Sequence, residues 1–358
     1  MSFVADLVLL VLALVALAFF SEWVVRSGIR ISRLLGIGEL TIGFILISVL
    51  TSLPELMVAV TSAASGTFAL SVGNVFGANV VDIALVLGLS FYLYPKGFRN
   101  RGAVKKLSTA LLLSSAITII FLLFGSVGRI AGFFLIGAFF AFCYFLFKEK
   151  VKVNETEAVY SSDKRTVISR ISRLHLGEGA IFSGGHVRKK ERTIALSFLS
   201  LLAGVFLVVL SSSIVVRSAS SLGAKAGISP ALIGALVLAL GTTLPEFSIG
   251  LSAFRQGHIG LALGDALGST VTNLTLVLGS GLLVSSAVLN MTFFSTLALF
   301  SLLTNVLFWY IITSRSELGK PEGKLLLLVY GAFVAVLVGG QIYFLKEEIL
   351  SFFLGFFG

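Results

Sequence analysis

Ten stretches of this chain, at 3–25, 40–64, 70–94, 107–125, 130–147, 193–216, 230–254, 260–287, 291–313 and 324–345, are each apolar over close to the length needed to cross a bilayer as a helix. In hydrocarbon every backbone N–H and C=O has to be satisfied inside the protein, so segments of this kind are expected to be helical. Composition agrees, since 57% of the 358 residues are hydrophobic and only 12% are charged, far from the balance of a soluble domain. The expected fold class is an all-α polytopic membrane protein of ten transmembrane helices. MSFVADLVLL has neither the basic start nor the small-residue cleavage site of a signal peptide, so the first segment is expected to remain as a span. Cys143 is the one cysteine, which excludes an internal disulfide and any multi-cysteine metal site.

The net charge of +10 would suggest nucleic acid in a soluble protein, but here the basic residues sort by side of the membrane. One set of loops collects Arg26, Arg30 and Arg33, then the run from Lys96 to Lys106, the central stretch 148–192, Arg255, and Arg315 to Lys324; the other set holds little beyond Arg129, Arg217, Lys225 and Lys346. Cytoplasmic loops are the ones that accumulate Lys and Arg. The expected topology is therefore a multi-pass protein of the cell membrane with both termini outside and the central loop in the cytoplasm.

The sequence is also written twice. TSLPE at 51–55 returns as TTLPE at 242–246, an offset of 191 residues. The same offset, without a gap, carries VVRS at 24–27 onto 215–218, Gly73 and Gly77 onto Gly264 and Gly268, and LVLG at 85–88 onto 276–279. The expected organisation is a first five-helix repeat over 1–147, a basic loop over 148–192, and a second repeat over 193–358. Five is odd, so the second copy enters the membrane inverted. Inverted repeats of this kind build secondary transporters, with the substrate site near the midplane where broken helices of the two halves meet.

Each repeat sets a hydroxyl pair, a proline and a carboxylate in the middle of an apolar span, where charge is costly and usually lines a polar cavity. Pro54 and Pro245 are expected to kink their spans and free carbonyls just upstream. With Thr51, Ser52, Thr242, Thr243, Glu55 and Glu246 these carbonyls make an all-oxygen donor set, suited to hard cations such as Ca²⁺ and Na⁺; softer metals would call for Cys or His. Nineteen residues beyond each glutamate the repeats read GNVFGANVVD (73–82) and GDALGSTVTN (264–273). Positions 74, 78 and 82, like 265, 269 and 273, recur every fourth residue and share one helical face. A polar seam opposite the glutamates follows, with Asn74 and Asp265 as further candidates.

These motifs resemble the cation/Ca²⁺ antiporter superfamily, which includes the sodium/calcium exchangers. Its repeats carry a hydroxyl-hydroxyl-x-Pro-Glu element followed by G-N-x-x-G-S-N-x-x-N/D, and both occur here in both halves, so the resemblance covers essentially the whole ten-span plan. It implies a Ca²⁺ site on Glu55 and Glu246 with carbonyls of Thr51 and Thr242. It also implies Na⁺ sites that share those glutamates and draw on Ser48, Ser52, Asp82, Ala239, Thr243, Ser269 and Asn273. The sequence departs from the pattern in three places: Asp82 and Asn273 exchange the usual acid and amide between the repeats, Ala78 stands where serine is usual, and Asp265 stands where asparagine is common.

The function expected from the resemblance is antiport of Ca²⁺ against Na⁺ by alternating access, with the same scaffold driven by H⁺, or carrying another divalent ion, as the alternative. A passive channel and an intramembrane hydrolase are the other classes open to a buried pair of carboxylates; the hydrolase leaves the duplicated Asn and Ser positions without a use. No cofactor, no nucleic acid and no obligate protein partner is expected, only the transported ions and the lipid. Within the central loop KRTVISRISRLHLG is weakly amphipathic, in keeping with a lipid-surface segment or a plain linker. His175, His186 and His258 are expected in solvated loops.

Overall fold

The computed structural model describes residues 3–64, 68–94, 101–123, 128–148, 186–225, 239–284, 291–315 and 318–357. Every regular element among them is a helix. In chain order these are α1 (Phe3–Leu35), α2 (Glu39–Thr51), α3 (Leu53–Ala64), α4 (68–93), α5 (Arg101–Leu123), α6 (Gly128–Lys148), α7 (His186–Lys225), the single turn α8 (Ala239–Thr242), α9 (Leu244–Gln256), α10 (Ile259–Val284), α11 (Met291–Ser314) and α12 (Lys320–Phe357). Seven described helices are long and apolar enough to cross a membrane, or eight when the bent pair α2/α3 counts as one span. The fourth predicted segment lies in α5, the seventh is described only from Ala239 onward, and the predicted amphipathic stretch with His175 lies outside the described residues.

Several helices outrun the segments expected from hydropathy. α1 has 33 residues, α7 has 40 and α12 has 38. Arg26, Arg30 and Arg33, expected in a loop, lie on the last turns of α1, and His186 opens α7. At 1.5 Å per residue α1 measures about 50 Å against ~30 Å of hydrocarbon. Hydropathy marks only the part matched to lipid, whereas the helix continues as long as its backbone bonds can be made.

Burial divides the helices into a centre and a rim. In their most apolar windows α4 is 83% buried and α10 78%, whereas α1 and α12 are each 17% buried. The rim helices turn Leu7, Val11, Val15, Phe133, Phe140 and Phe206 outward, while Ser, Thr, Asn, Asp and Glu collect inside. Lipid is as apolar as leucine, so close packing and polar contacts, rather than escape from water, hold such a bundle together. The packed interior joins Val24 and Val25 of α1, Phe44 and Ile47 of α2, Leu87 and Phe91 of α4, Phe254 of α9 and Leu267 of α10. Phe91 and Phe254 meet edge to face at 5.5 Å.

Contacts between helices exchange partners under the 191-residue offset. α1 lies along α7, and α5 along α11; α6 packs on the last turns of α10, and α12 on the last turns of α4. The glycines at these last two crossings are offset mates. A methyl on Gly279 would fall 3.0 Å from the Gly132 carbonyl oxygen, and one on Gly323 2.6 Å from that of Gly88. The tightest approach joins α2 to α10 at Gly43, Gly264 and Gly268: a methyl on Gly43 would lie 2.8 Å from the Asp265 nitrogen, and one on Gly268 2.6 Å from Ser48 Oγ. Small residues admit this backbone-to-backbone crossing, and it fixes where the polar residues of α2 and α10 meet.

Candidate functional site

The chain breaks twice in the interior, at equivalent places. Between α2 and α3, Ser52 has φ −80° and ψ 7°; before α9, Thr243 has φ −90° and ψ 1°. Both angles lie in the sparsely allowed bridge region. α2 and α3 bend by 43° at the break. The kink expected at the prolines therefore falls two residues earlier. Pro54 and Pro245 occupy the first turns of the new helices, where the missing N–H is tolerated. Neither proline offers a donor to the carbonyl four residues before it, Leu50 or Gly241.

The earlier position of the break has an electrostatic consequence. Glu55 and Glu246 sit in the first turns of α3 and α9, at the ends where unpaired N–H groups and the helix dipole favour negative charge. Glu55 is 1% exposed and Glu246 2%. Neither oxygen of either carboxylate has a hydrogen-bond partner among the described residues, nor has either oxygen of Asp82 or Oδ2 of Asp265. The four acids are electrostatic neighbours: Glu246 acts on Glu55, Asp82 and Asp265, and Asp82 also on Glu55. Among the described residues no positively charged side chain acts on them.

Of the other predicted residues, Thr51 and Thr242 are joined to this centre by contacts. Thr51 donates to the Ser48 carbonyl at 3.2 Å, and its hydroxyl stands 3.5 Å from both Asp265 Oδ1 and Ser269 Oγ. At the position offset by 191 residues, Thr242 donates to Asn74 Oδ1 at 3.2 Å. Ser48 donates to the Phe44 carbonyl, and Thr243 to that of Leu240 at 3.1 Å. Ser52 Oγ and Asn273 Oδ1 are buried without a partner among the described residues. Ala239 begins α8, where only its backbone is described.

The seam of 74, 78 and 82 and that of 265, 269 and 273 are both fully inside the bundle. A feature the sequence did not reveal shapes their ends: α4 widens to a π-helix over Val81–Leu87, and α10 over Asn273–Val277. Asp82 and Asn273, mates under the offset, stand at the start of these wide turns. Such turns disturb the regular i to i−4 bonding and are frequent at functional sites. Thr118 of α5 donates to the Leu274 carbonyl within the second one, at 2.9 Å.

Sequence reasoning also passed over Asn79, whose amide N and O are both buried and unpartnered among the described residues; a polar side chain beside Ala78 in an apolar span was its available signal. His258 lies in the expected loop, between α9 and α10, but partly buried rather than solvated, with Nδ1 2.9 Å from Glu39 Oε1. Among the described residues no three His, Cys, Asp or Glu side chains converge closely enough to chelate a metal alone. A cation held here has to take carbonyl, hydroxyl and amide oxygens as well, which is the donor chemistry of Na⁺ and Ca²⁺.

Comparison with known proteins gives a consistent picture. Residues 5–148 and 196–339 each match the family model described as sodium/calcium exchanger protein, the two matches beginning 191 residues apart. The chain is 28% identical over 345 residues to the sodium/calcium exchanger MaX1 of Methanosarcina acetivorans, covering 93% of this chain and 98% of that one. It is 26% identical over 326 residues to the inner membrane protein YrbG of Escherichia coli, covering 91% and 94%. In fold it is similar to the sodium-calcium exchanger NCX_Mj soaked with 10 mM Na⁺ and zero Ca²⁺, with a TM-score of 0.72, 22% identity, and coverage of 94% of this chain and 99% of that one.

Proposed function

The chain belongs to the sodium/calcium exchanger protein family, whose model matches both of its halves, and from that premise we propose that it exchanges Ca²⁺ for Na⁺ across the cell membrane by alternating access. Ten spans are arranged as two inverted five-helix repeats, 1–147 and 193–358, with the termini outside and the basic loop 148–192 in the cytoplasm. The reciprocal helix contacts under the 191-residue offset and the doubled family match support this arrangement.

One observation carries the reading. Two helix breaks, one from each half, present Glu55 and Glu246 to a common interior, and their four carboxylate oxygens are buried without partners among the described residues. Uncompensated buried charge is expensive. One Ca²⁺ neutralises the glutamate pair; so do Na⁺ ions distributed over the glutamates and the oxygens of Ser48, Thr51, Ser52, Asp82, Ala239, Thr242, Thr243, Ser269 and Asn273. A charged, unfilled centre resists movement through the membrane and a filled one permits it, and that obligation makes the protein an exchanger rather than a channel. α1 and α7, paired along their length and mostly lipid-facing, are the elements that move against the centre. Three Na⁺ per Ca²⁺ carry one net charge, on which the membrane potential does ~2.3 kcal/mol per 100 mV.

The test is ⁴⁵Ca²⁺ uptake into proteoliposomes under an imposed Na⁺ or pH gradient. Internal Na⁺ is expected to drive uptake, and Glu55→Gln and Glu246→Gln each to abolish it. Uptake driven by a pH gradient alone selects H⁺ as the coupling ion on the same scaffold. Undiminished uptake in both variants refutes the glutamate centre.

A further inference from the structure

Under the 191-residue offset α1 and α9 correspond to α7 and α3, yet the two pairs of helices are placed differently. α1 packs against α9, whereas α7 makes no more than passing contact with α3 among the described residues. Met57 of α3 is accordingly 61% exposed and Ala64 at its end is exposed too, while Ser248 of α9, the mate of Met57, is partly covered. Two inverted halves can exchange such arrangements, so that α7 docks on α3 and α1 parts from α9.

Polar contacts hold the docked side. The hydroxyls of Ser21 and Ser248 lie 2.6 Å apart, and one turn further Glu22 pairs with Arg255 in the last turn of α9 and with Arg26 at 3.1 Å. The offset mates of Ser21, Glu22, Ser248 and Arg255 are Ser212, Ser213, Met57 and Ala64. Docking α7 on α3 would therefore set a hydroxyl against a thioether and another hydroxyl against a methyl, with no ion pair. Ser212 and Ser213 both donate to the Val209 carbonyl of their own helix at 2.9 Å. We propose that Ser21–Ser248 and Glu22–Arg255 form a one-sided latch, which favours the state with α1 docked on α9 and has no equivalent in the mirror state.

A latch on α1 restrains α7 as well, because the two helices are tied at both ends. Near the start of α1, Asp6 pairs with Lys225 and accepts from Ser221 at 2.6 Å; near its end, Trp23 donates to Ser200 Oγ at 2.8 Å and Ser27 Oγ lies 3.0 Å from it. On the topology proposed above, the latch stands at the cytoplasmic end of α1, beside Arg30 and Arg33, and the bare face of α3 lies toward the outside. The latch rests on the exchanger reading for what the two states do, and adds which of them the protein prefers. Glu22 and Arg255 are partly exposed, so their pair is weak by itself; together with the hydroxyl pair it shifts a two-state equilibrium roughly three- to tenfold. A bias of that size sets a resting state without blocking turnover.

The test compares purified full-length protein with the Ser21→Ala/Arg255→Gln double variant, in nanodiscs without Ca²⁺ or Na⁺, by hydrogen–deuterium exchange of the backbone amides of α3 and α9. The double variant is expected to exchange faster in α9 and more slowly in α3, because weakening the latch populates the state in which α3 is covered. Arg255→Lys, which keeps the charge, is expected to exchange like the parent. A merely destabilised protein exchanges faster in both helices, so exchange in α3 that fails to slow overturns the proposal, whether or not α9 loosens. Should the double variant not fold, Met57→Ser/Ala64→Arg with and without Ser213→Glu decides: the added glutamate completes a mirror latch and should slow α3, and no slowing refutes the proposal. In proteoliposomes the double variant should need roughly threefold less Ca²⁺ or lower still at the cytoplasmic face for half-maximal exchange, since apparent affinity scales with the fraction of protein open to that side; an unchanged requirement there also counts against the latch. Absence of exchange in the parent sinks the exchanger reading, while opposite changes in α3 and α9 still uphold the latch.

Discussion

Replacing Gly268 by alanine tests whether the crossing of α2 and α10 is what assembles the site. The new methyl would lie 2.6 Å from Ser48 Oγ, 2.7 Å from Ser48 Cβ and 2.7 Å from the Phe44 carbonyl oxygen. Two of these neighbours are a backbone atom and a Cβ, which cannot step aside by rotating a side chain. Relaxing from 2.7 Å to the ~3.5 Å of an ordinary non-bonded contact requires the helices to part by roughly 0.8 Å. Overpacking of this kind costs about 1–3 kcal/mol. The displacement also separates Thr51 from Asp265 and Ser269, since the three are carried on the two helices being pushed apart. Gly137→Ala is the control, because a methyl there meets nothing within 4 Å and alanine is the better helix former by about 1 kcal/mol. In a thermal-melt assay in detergent, Gly268→Ala is expected to melt several degrees below the parent and Gly137→Ala at or above it. In proteoliposomes, Gly268→Ala is expected to need more Na⁺ and more Ca²⁺ for half-maximal uptake. A Gly268→Ala protein with parental melting temperature and parental ion dependence would refute the claim that this contact sets the geometry.

Two further outcomes are expected. Thr118→Val removes the donor to the Leu274 carbonyl in the wide turn that begins at Asn273; leaving a buried acceptor unpaired costs about 1–3 kcal/mol, so the variant should melt lower and bind ions more weakly, while Thr118→Ser, which keeps the hydroxyl, should restore both, and equal behaviour of the two variants counts against the role. Ca²⁺ bound between Glu55 and Glu246 should stabilise the parent by about 2.7 kcal/mol at a hundredfold excess over its dissociation constant; the gain in melting temperature should vanish on chelation and be absent in Glu246→Gln, and a gain that persists in that variant places the stabilising ion elsewhere.

Much of the protein was legible in the amino-acid order because the relevant physics is local or self-repeating. Hydrocarbon leaves a backbone of this composition little choice but the helix, and an offset of 191 residues held without a gap makes the two halves build alike. A proline beside a carboxylate in an apolar span announced both helix breaks and both glutamates. The regular spacing of 74, 78 and 82 put a polar seam on one face of α4, and that face is buried.

What the order of residues left open was settled by contacts far apart in the chain. The break falls at Ser52 and Thr243 rather than at the prolines, because a proline is tolerated in a helix's first turn and the chain can spend its irregular angles just before it. The wide turns at Asp82 and Asn273 carry no local signature; one of them is met by a hydroxyl from α5, 156 residues away. Thr51 meets Asp265 across 214 residues and Thr242 meets Asn74 across 168. A repeat specifies two like halves, but the differences between them acquire meaning only where the halves interlock, so the unlike contacts Thr51–Asp265 and Thr242–Asn74 belong to the tertiary structure: a side chain's chemistry is written in the sequence, and its neighbours are not.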